Sequence, residues 1–187
     1  MTSGRGFVLW FTGLSGAGKS TLSEAIAPAL RGRGVAIEVL DGDEVRTHLS
    51  KGLGFSREDR DANIMRIGFV ANLLARNGVG VITAAISPYR ETRDSVRALV
   101  EGDGSVFIEA HVAATLEECE ARDVKGLYAE ARAGRRPGMT GVDDPYEPPP
   151  TPELSIPTGQ EPLSSSIERV IRYLETQGLV AAIGAVR

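Results

Sequence analysis

Short hydrophobic runs alternate along this chain with segments in which apolar residues recur every three or four positions. The runs are rich in Val, Ile, Leu and Phe and have the length of β-strands, whereas the other spacing is that of an amphipathic α-helix. The predicted strands are residues 7–12, 35–40, 79–86, 106–112 and 154–156. A closing helix is predicted over about 163–178, with Ile167, Val170, Ile171 and Leu174 on one face. Strands that alternate with helices predict an α/β fold with a mainly parallel sheet covered on both faces.

A glycine-rich stretch, Gly13–Thr21, links the first predicted strand to the first helix. Gly13, Gly18, Lys19 and Ser20 match the phosphate-binding pattern G-x-x-x-x-G-K-[ST] in the strand–loop–helix setting that a P-loop requires. We expect backbone N–H groups to converge on phosphate oxygens, Lys19 to reach the β- and γ-phosphates of ATP, and Ser20 to hold Mg²⁺. The alternative is a glycine-rich turn without a ligand. The residues predicted to bind ATP here are Gly13, Leu14, Ser15, Gly16, Ala17, Gly18, Lys19, Ser20 and Thr21.

Two aspartates, Asp41 and Asp43, follow the second predicted strand. Ligands of open α/β sheets collect at the carboxyl ends of strands, so both carboxylates are candidates for the site. Phosphoryl transfer needs a carboxylate to position Mg²⁺ and often a second one to take the proton of the attacking hydroxyl. The two aspartates could divide these tasks. The alternative is an Asp-Gly turn that caps the next helix.

A second cluster combines Arg46, Arg60 and Asn63 with the glycine-flanked Phe55. Arg60 and Asn63 are three positions apart and therefore share a helix face. Guanidinium groups suit phosphate or sulfate, and an aromatic ring on a loop suits stacking on a planar base. The alternative is a solvated basic face beside a core phenylalanine. Four more arginines in the same region could help to gather a small anion: Arg57, Arg66, Arg90 and Arg93.

Two loops remain as candidates for function. Ile86–Arg90 follows the third predicted strand, and its Ser87 either contacts substrate or caps the next helix. Residues 123–152 form an irregular, proline-rich insert, called the insert below. A long irregular segment in a compact domain is often functional, and this position predicts a lid over the site. The alternative is a passive linker.

Composition narrows the functional class. The 187 residues suit a single domain, and the formal net charge of −4 argues against general nucleic-acid binding. Cys119 is the one cysteine, which favours a reducing compartment and a buried, inert thiol. Neither a signal peptide nor a membrane-spanning run is predicted. The cytoplasm is therefore the expected location, with no membrane partner.

Six ordered motifs between about residues 5 and 175 resemble those of the adenylylsulfate kinases. They are Gly13–Thr21, Asp41–Arg46, Leu53–Asn63, Ile86–Arg90, Arg122–Tyr128 and Thr140–Glu147. The resemblance implies a P-loop NTPase-type three-layer fold with a lid. It also implies that ATP, with Mg²⁺, phosphorylates the 3′-hydroxyl of adenylyl sulfate (APS), giving 3′-phosphoadenylyl sulfate and ADP. A homodimer and functional coupling to a sulfate adenylyltransferase are implied as well.

The resemblance also implies residue roles. Lys19, Asp41, Asp43 and Ser87 are then catalytic, with Asp43 as candidate base, Asp41 and Ser20 at the metal, and Ser87 matching a serine that is phosphorylated in the family. Arg122 joins the ATP site. The APS site comprises Asp43, Arg46, Phe55, Arg60, Asn63, Ile86, Ser87, Lys125, Gly138 and Met139.

One departure from the family pattern concerns the substrate base. These enzymes usually carry phenylalanine where this chain has Met139 after Gly138. A thioether can cover an adenine face but lacks the stacking geometry of an aromatic ring. We expect retained activity with a weaker hold on the base. Two rival functions stay open: a P-loop kinase of another small metabolite, and a regulatory module that binds the product nucleotide without turnover.

Overall fold

The computed structural model describes residues 5–182. Its strands are β1 (Phe7–Thr12), β2 (Ile37–Asp41), β3 (Gly80–Ala84), β4 (Val106–Val112) and β5 (Leu154–Ile156). Its helices are α1 (Lys19–Arg31), α2 (Gly42–His48), α3 (Arg57–Ala75), α4 (Arg90–Gly102), α5 (Leu116–Arg122), α6 (Leu127–Arg132) and α7 (Leu163–Thr176). The bounds predicted for β1, β4 and β5 are confirmed, whereas β2 and β3 are shorter than their apolar runs.

The strands form one sheet in the order β2-β3-β1-β4-β5. Every pairing within the described residues is parallel, so the predicted sheet is confirmed. The chain passes from β1 to one side of the sheet and later returns to the other side, which places a switch point at the carboxyl end of β1. β2 was predicted as a buried strand and is instead a half-buried edge, because β3 is its one partner in the described sheet.

Helices cover both faces of the sheet, which confirms the three-layer architecture. On one face, Leu9 and Phe11 of β1 pack with α1 and α7. On the other, Val8 and Trp10 pack with the buried side of α3 and α4. Alternation along β1 thus serves two cores, as a strand buried on both faces requires. The described part of the chain contains no helix long and apolar enough to cross a membrane.

The apolar C-terminal end has a partial explanation. The apolar sequence of residues 179–187 is compatible with packing on the core, contact with a partner or fraying. Leu179 and Val180 are buried in the cluster beside α1 and α7, so this part packs on the core. Residues 183–187 lie outside the described residues.

The insert is irregular except for α6. It is nevertheless attached to the body, because Tyr128, Met139 and Thr140 are all buried. A chain segment with buried side chains at several points is not a passive linker. The insert lies over the carboxyl ends of the strands and contributes to the wall of the cavity described next.

Candidate functional site

A cavity of about 390 Å³ lies at the carboxyl edge of the sheet, next to the switch point. Its wall joins the P-loop, the start of α2, the Ile86–Pro88 segment and the insert. Lys19 and Ser20 border the same cavity as Arg46, Phe55 and Arg60. The predicted triphosphate site and the predicted arginine cluster are therefore two halves of one space.

The P-loop has the backbone that its glycines permit. Gly16 and Gly18 adopt left-handed conformations with φ of 74° and 104°, and Gly18 is the N-cap of α1. Lys19 is buried, and its Nζ donates hydrogen bonds to the carbonyls of Gly13 at 2.8 Å and Leu14 at 2.7 Å. Burial lowers the pKa of Lys19 to about 8. A nearby anion would stabilise the charged form of this buried ammonium group.

Three side chains support the P-loop backbone, and of these Tyr128 borders the cavity. Arg122 was predicted to contact ATP, but its guanidinium donates to the carbonyls of Gly16 at 3.1 Å and Thr158 at 3.0 Å and is not part of the cavity wall. Thr158 in turn donates to the Ala17 carbonyl at 2.6 Å, and Tyr128 donates to the Ser15 carbonyl at 2.8 Å. These contacts hold the backbone of the P-loop in place.

Asp41 has both features that the sequence suggested: it caps a helix, and its carboxylate lies at the site. Its Oδ1 accepts a hydrogen bond from the Asp43 amide at 2.9 Å, which makes it the N-cap of α2. Its Oδ2 accepts from the Ser20 hydroxyl at 2.8 Å. Asp43 is exposed to the cavity and pairs with Lys125 of the insert. The residue that caps α2, Asp41, therefore also holds its carboxylate next to the Ser20 hydroxyl of the P-loop.

The oxygen atoms of Ser20 and Asp41 fit a magnesium ion. Mg²⁺ prefers oxygen ligands and is usually held by one or two carboxylates together with substrate phosphates and water. Within residues 5–182, no group of three or more His, Cys, Asp or Glu side chains is placed to hold a metal ion by itself. The donor set suits a metal that arrives with a nucleotide.

Phe55 is a site residue by exposure and surroundings. Its side chain is 58% exposed, which rules out a core phenylalanine. The guanidinium carbon of Arg46 lies 4.3 Å from the ring centroid, and those of Arg60 and Arg136 lie at 5.8 and 5.9 Å. Burial and the neighbouring Arg60 lower the pKa of Arg46. Three cations around one ring give this half of the cavity a positive field.

Arg60 and Asn63 are buried on the inner face of α3, so they do not form a solvated basic face. Arg60 donates to the Phe55 carbonyl at 2.8 Å, to the Thr140 hydroxyl at 2.8 Å and to the Gly138 carbonyl. It thereby joins α3 to the insert. Asn63 borders the cavity, and its buried Oδ1 accepts no hydrogen bond within the described residues.

Ser87 adopts an unusual backbone conformation for a residue with a side chain, with φ of 43°. It lies in the cavity wall but is 2% exposed, and its hydroxyl accepts a hydrogen bond from Trp10 Nε1 at 3.1 Å. Tyr89 is the N-cap of α4, so the interpretation of Ser87 as a helix cap is wrong. The hydroxyl of Ser87 is therefore turned towards β1.

Most predicted site residues meet at this cavity, including Ile86, Lys125, Gly138 and Met139. Four do not border it: Gly13, Leu14, Ala17 and Arg122. Leu14 and Ala17 bury their side chains in the core, and Arg122 contacts the loop carbonyls from outside the cavity. Four predicted anion-gathering arginines also lie elsewhere. Arg93 pairs with Glu109, Arg66 donates to the Leu49 carbonyl, and Arg57 and Arg90 flank a separate surface depression.

Three contributors were missed: Arg136 and Thr140 in the insert, and Thr158 after β5. The position of Thr158 at a strand end was a usable signal, since such loops form ligand sites in parallel sheets. The insert residues carry no periodic pattern, so the sequence offered no comparable signal for Arg136 and Thr140. The buried Cys119 is as predicted, and burial raises the pKa of its thiol.

The comparisons with known proteins agree on one family. The family profile described as adenylylsulphate kinase matches residues 5–157. An adenylyl-sulfate kinase of Picosynechococcus is 58% identical over 176 residues, which are 94% of this chain and 97% of that protein. A probable bifunctional SAT/APS kinase of Sorangium cellulosum is 53% identical over 96% of this chain, which corresponds to 30% of that protein.

A solved structure agrees with the sequence matches. The Mycobacterium tuberculosis APS kinase in complex with AMPPNP and APS superposes with a TM-score of 0.88 at 42% identity, covering 92% of this chain and 99% of that one. The P-loop, the paired aspartates and the arginine-flanked ring thus occur in a fold shared with a kinase of this kind. The chain belongs to the adenylylsulphate kinase family.

Proposed function

We propose that this chain transfers the γ-phosphoryl group of ATP to the 3′-hydroxyl of adenylyl sulfate. The observation that carries the proposal is the single cavity shared by a P-loop and an arginine-lined half with an exposed ring. The relative from Mycobacterium tuberculosis is described with an ATP analogue and APS bound, which supports a two-nucleotide site in this fold. ATP takes the P-loop half, and APS takes the half around Phe55.

The P-loop half binds and orients ATP. Lys19 exchanges the carbonyls of Gly13 and Leu14 for the β- and γ-phosphates, where its ammonium offsets the charge that develops during transfer. Ser20 and Asp41 hold Mg²⁺, which neutralises phosphate charge when it is bound. Arg122, Thr158 and Tyr128 contribute by keeping the loop backbone in place.

The arginine half binds APS and presents its hydroxyl. Phe55 stacks on the adenine, while Arg46 and Arg60 attract the phosphosulfate group. Asn63 offers an acceptor oxygen, and Ile86, Ser87, Gly138 and Met139 complete the wall. Because its hydroxyl is bonded to Trp10, Ser87 contributes its main chain and is not required as a phosphorylated intermediate. Direct in-line transfer needs positioning and charge stabilisation alone.

Asp43 is the group that takes the proton. As the 3′-oxygen forms its bond to the γ-phosphorus, the bond to the β-γ bridging oxygen breaks and the hydroxyl proton passes to the Asp43 carboxylate. Lys125 of the insert pairs with Asp43 in this structure. When APS binds, Lys125 contacts the substrate instead, and this contact holds the insert over the site. The insert, about residues 123–152 of a single 1–187 domain, acts as the lid.

ATP-dependent conversion of adenylyl sulfate to its 3′-phosphate tests the proposal. The assay uses a panel that also contains sugar acids and nucleosides as acceptors. Turnover confined to APS supports the proposed function. Turnover of another acceptor favours the rival small-metabolite kinase, and tight binding of the product nucleotide without any turnover favours the regulatory module.

The methionine in the substrate wall yields a separate prediction. Met139 is buried to 7% exposure and borders the cavity beside Gly138. We expect Met139→Phe to lower the KM for APS about two- to tenfold, because an offset ring stack adds stabilisation that a thioether lacks. The KM for ATP stays unchanged. Met139→Leu, which conserves volume, is the matched control, and an unaltered APS affinity in Met139→Phe counts against stacking at this position.

Partners and location complete the proposal. We propose a homodimer, as the family resemblance implies, and a molar mass in solution of one chain contradicts it. We also propose cytoplasmic work beside a sulfate adenylyltransferase, which accords with the free thiol of Cys119 and with the bifunctional name of the Sorangium relative.

A further inference from the structure

Arg93 lies outside the cavity and joins one segment of the cavity wall to two other parts of the fold. The side chain is on α4 and is 1% exposed. Its Nε donates to Glu109 Oε1 on β4 at 2.7 Å, its Nη1 to the Ser87 carbonyl at 2.8 Å, and its Nη2 to the Glu147 carbonyl at 2.7 Å. One planar guanidinium thus connects the sheet, the Ile86–Arg90 loop and the second half of the insert.

The loop that Arg93 holds is in a conformation that needs support. A φ of 43° is unfavourable for a residue with a Cβ and persists where the surroundings over-determine it. Ser87 is fixed on both sides, by Trp10 at its hydroxyl and by Arg93 at its carbonyl. Thr12 adds a hydrogen bond to the neighbouring Ile86 carbonyl at 2.8 Å. The two wall residues of the APS half are therefore held from behind the cavity.

Residues 143–147, in the second half of the insert, run along this loop and are called the strap. The Glu147 amide donates to the Pro88 carbonyl at 2.8 Å, and its carboxylate accepts from the Arg90 amide at 2.8 Å. The Tyr146 hydroxyl lies 3.0 Å from the Thr12 hydroxyl. Tyr89 donates to Asp144 at 3.0 Å. Loop and strap form one unit, and Arg93 is the cation buried beneath it.

We propose that Arg93 is a positioning residue for phosphoryl transfer, acting through Ser87 and the strap to place the APS half of the cavity. The inference rests on the proposed function, since it assigns that half to APS. Arg93 donates in three directions from a rigid fork, and a lysine ammonium on a flexible stem cannot satisfy the two carbonyls and Glu109 in the same geometry. Displacing Ile86 and Ser87 changes the APS subsite, whereas the P-loop carbonyls of Ser15, Gly16 and Ala17 keep their own side-chain contacts.

The test compares Arg93→Lys with Arg97→Lys. Arg97 is one turn further along α4 and shares one acidic partner with Arg93, namely Glu109 at 3.7 Å. It also pairs with Glu153 at 2.8 Å, but its hydrogen bonds and ion pairs in the described structure reach neither the loop nor the strap. We expect Arg93→Lys to raise the KM for APS about tenfold, since small misplacements at a reacting centre are costly, with the KM for ATP within about twofold of the parent. Arg97→Lys leaves the ratio of the two KM values at the parent value.

Equal changes in both KM values, or the same ratio change in Arg97→Lys, overturn the inference, because a merely structural loss has no reason to select one substrate. If Arg93→Lys does not fold, Tyr146→Phe decides, since it removes the hydroxyl beside Thr12 without touching the buried ion pair. We expect a rise of about two- to fivefold in the KM for APS alone, and no rise overturns the inference. If the parent protein turns over APS and the variants have the same KM values as the parent, only this inference is overturned. If the parent protein is inactive on APS, the proposed function itself is overturned.

Discussion

Lys19→Ala is expected to lower kcat for APS phosphorylation about a thousandfold, because it removes the buried cation that offsets charge on the transferred phosphoryl group. Its stability is expected to move differently. At pH 7 the ammonium is charged in a place where burial lowers its pKa to about 8, so the fold bears a desolvation cost that alanine removes. The midpoint of thermal unfolding should equal or exceed that of the parent.

The paired measurements are steady-state kinetics and thermal unfolding in the absence of nucleotide. Lys51→Ala is the matched control, since Lys51 is exposed and does not border the cavity; we expect parent values in both assays. Loss of activity accompanied by a drop of several degrees in the unfolding midpoint would mean that the two carbonyl contacts of Lys19 hold the loop together, against our assignment.

Asp43→Asn is expected to lower kcat about a hundredfold or more, since the carboxamide cannot take the proton of the attacking hydroxyl. The KM for ATP should stay near the parent value, because the P-loop contacts do not involve this side chain. The fold should also be retained, as Asp43 is exposed and the α2 cap belongs to Asp41.

Asp41→Asn provides the comparison. Asparagine is a good N-cap and can still accept the Asp43 amide, so α2 remains intact. Because it weakens an oxygen ligand, we expect this variant to shift the Mg²⁺ concentration needed for half-maximal rate, whereas Asp43→Asn does not. Initial rates over a magnesium titration separate the two roles. A magnesium shift in Asp43→Asn would instead place Asp43 at the metal.

Local patterns in the sequence predicted the architecture and the position of the P-loop well. The P-loop glycines, the apolar run of β1 and the apolar face of α7 each depend on neighbours along the chain, and the structure confirms all three. Strand-end reasoning placed Asp41 and Asp43 at the cavity for the same reason, since parallel strands share a carboxyl edge. The family and the enzyme class, inferred from the ordered motifs, are confirmed by the sequence comparisons.

Contacts between residues far apart in the chain could not be predicted from local sequence patterns. Arg93 and Arg60 are both arginines near the start of a helix, and no local pattern distinguishes the one that pairs with Glu109 from the one that borders the cavity. Arg122 was predicted to join the ATP site, but its guanidinium donates to the carbonyl of Gly16, 106 positions away in the chain. Ser87 was open between two roles, and its partner Trp10 lies on another strand.

The hydrogen bond between Trp10 and Ser87 gives this protein a built-in optical reporter. Trp10 is the one tryptophan in the sequence, is fully buried, and bonds through its indole nitrogen to a residue of the cavity wall. Its emission therefore depends on the environment of the Ile86–Arg90 loop and on no other indole. Titration of either nucleotide can be followed by intrinsic fluorescence without a label, and a phenylalanine at position 10 supplies the silent control.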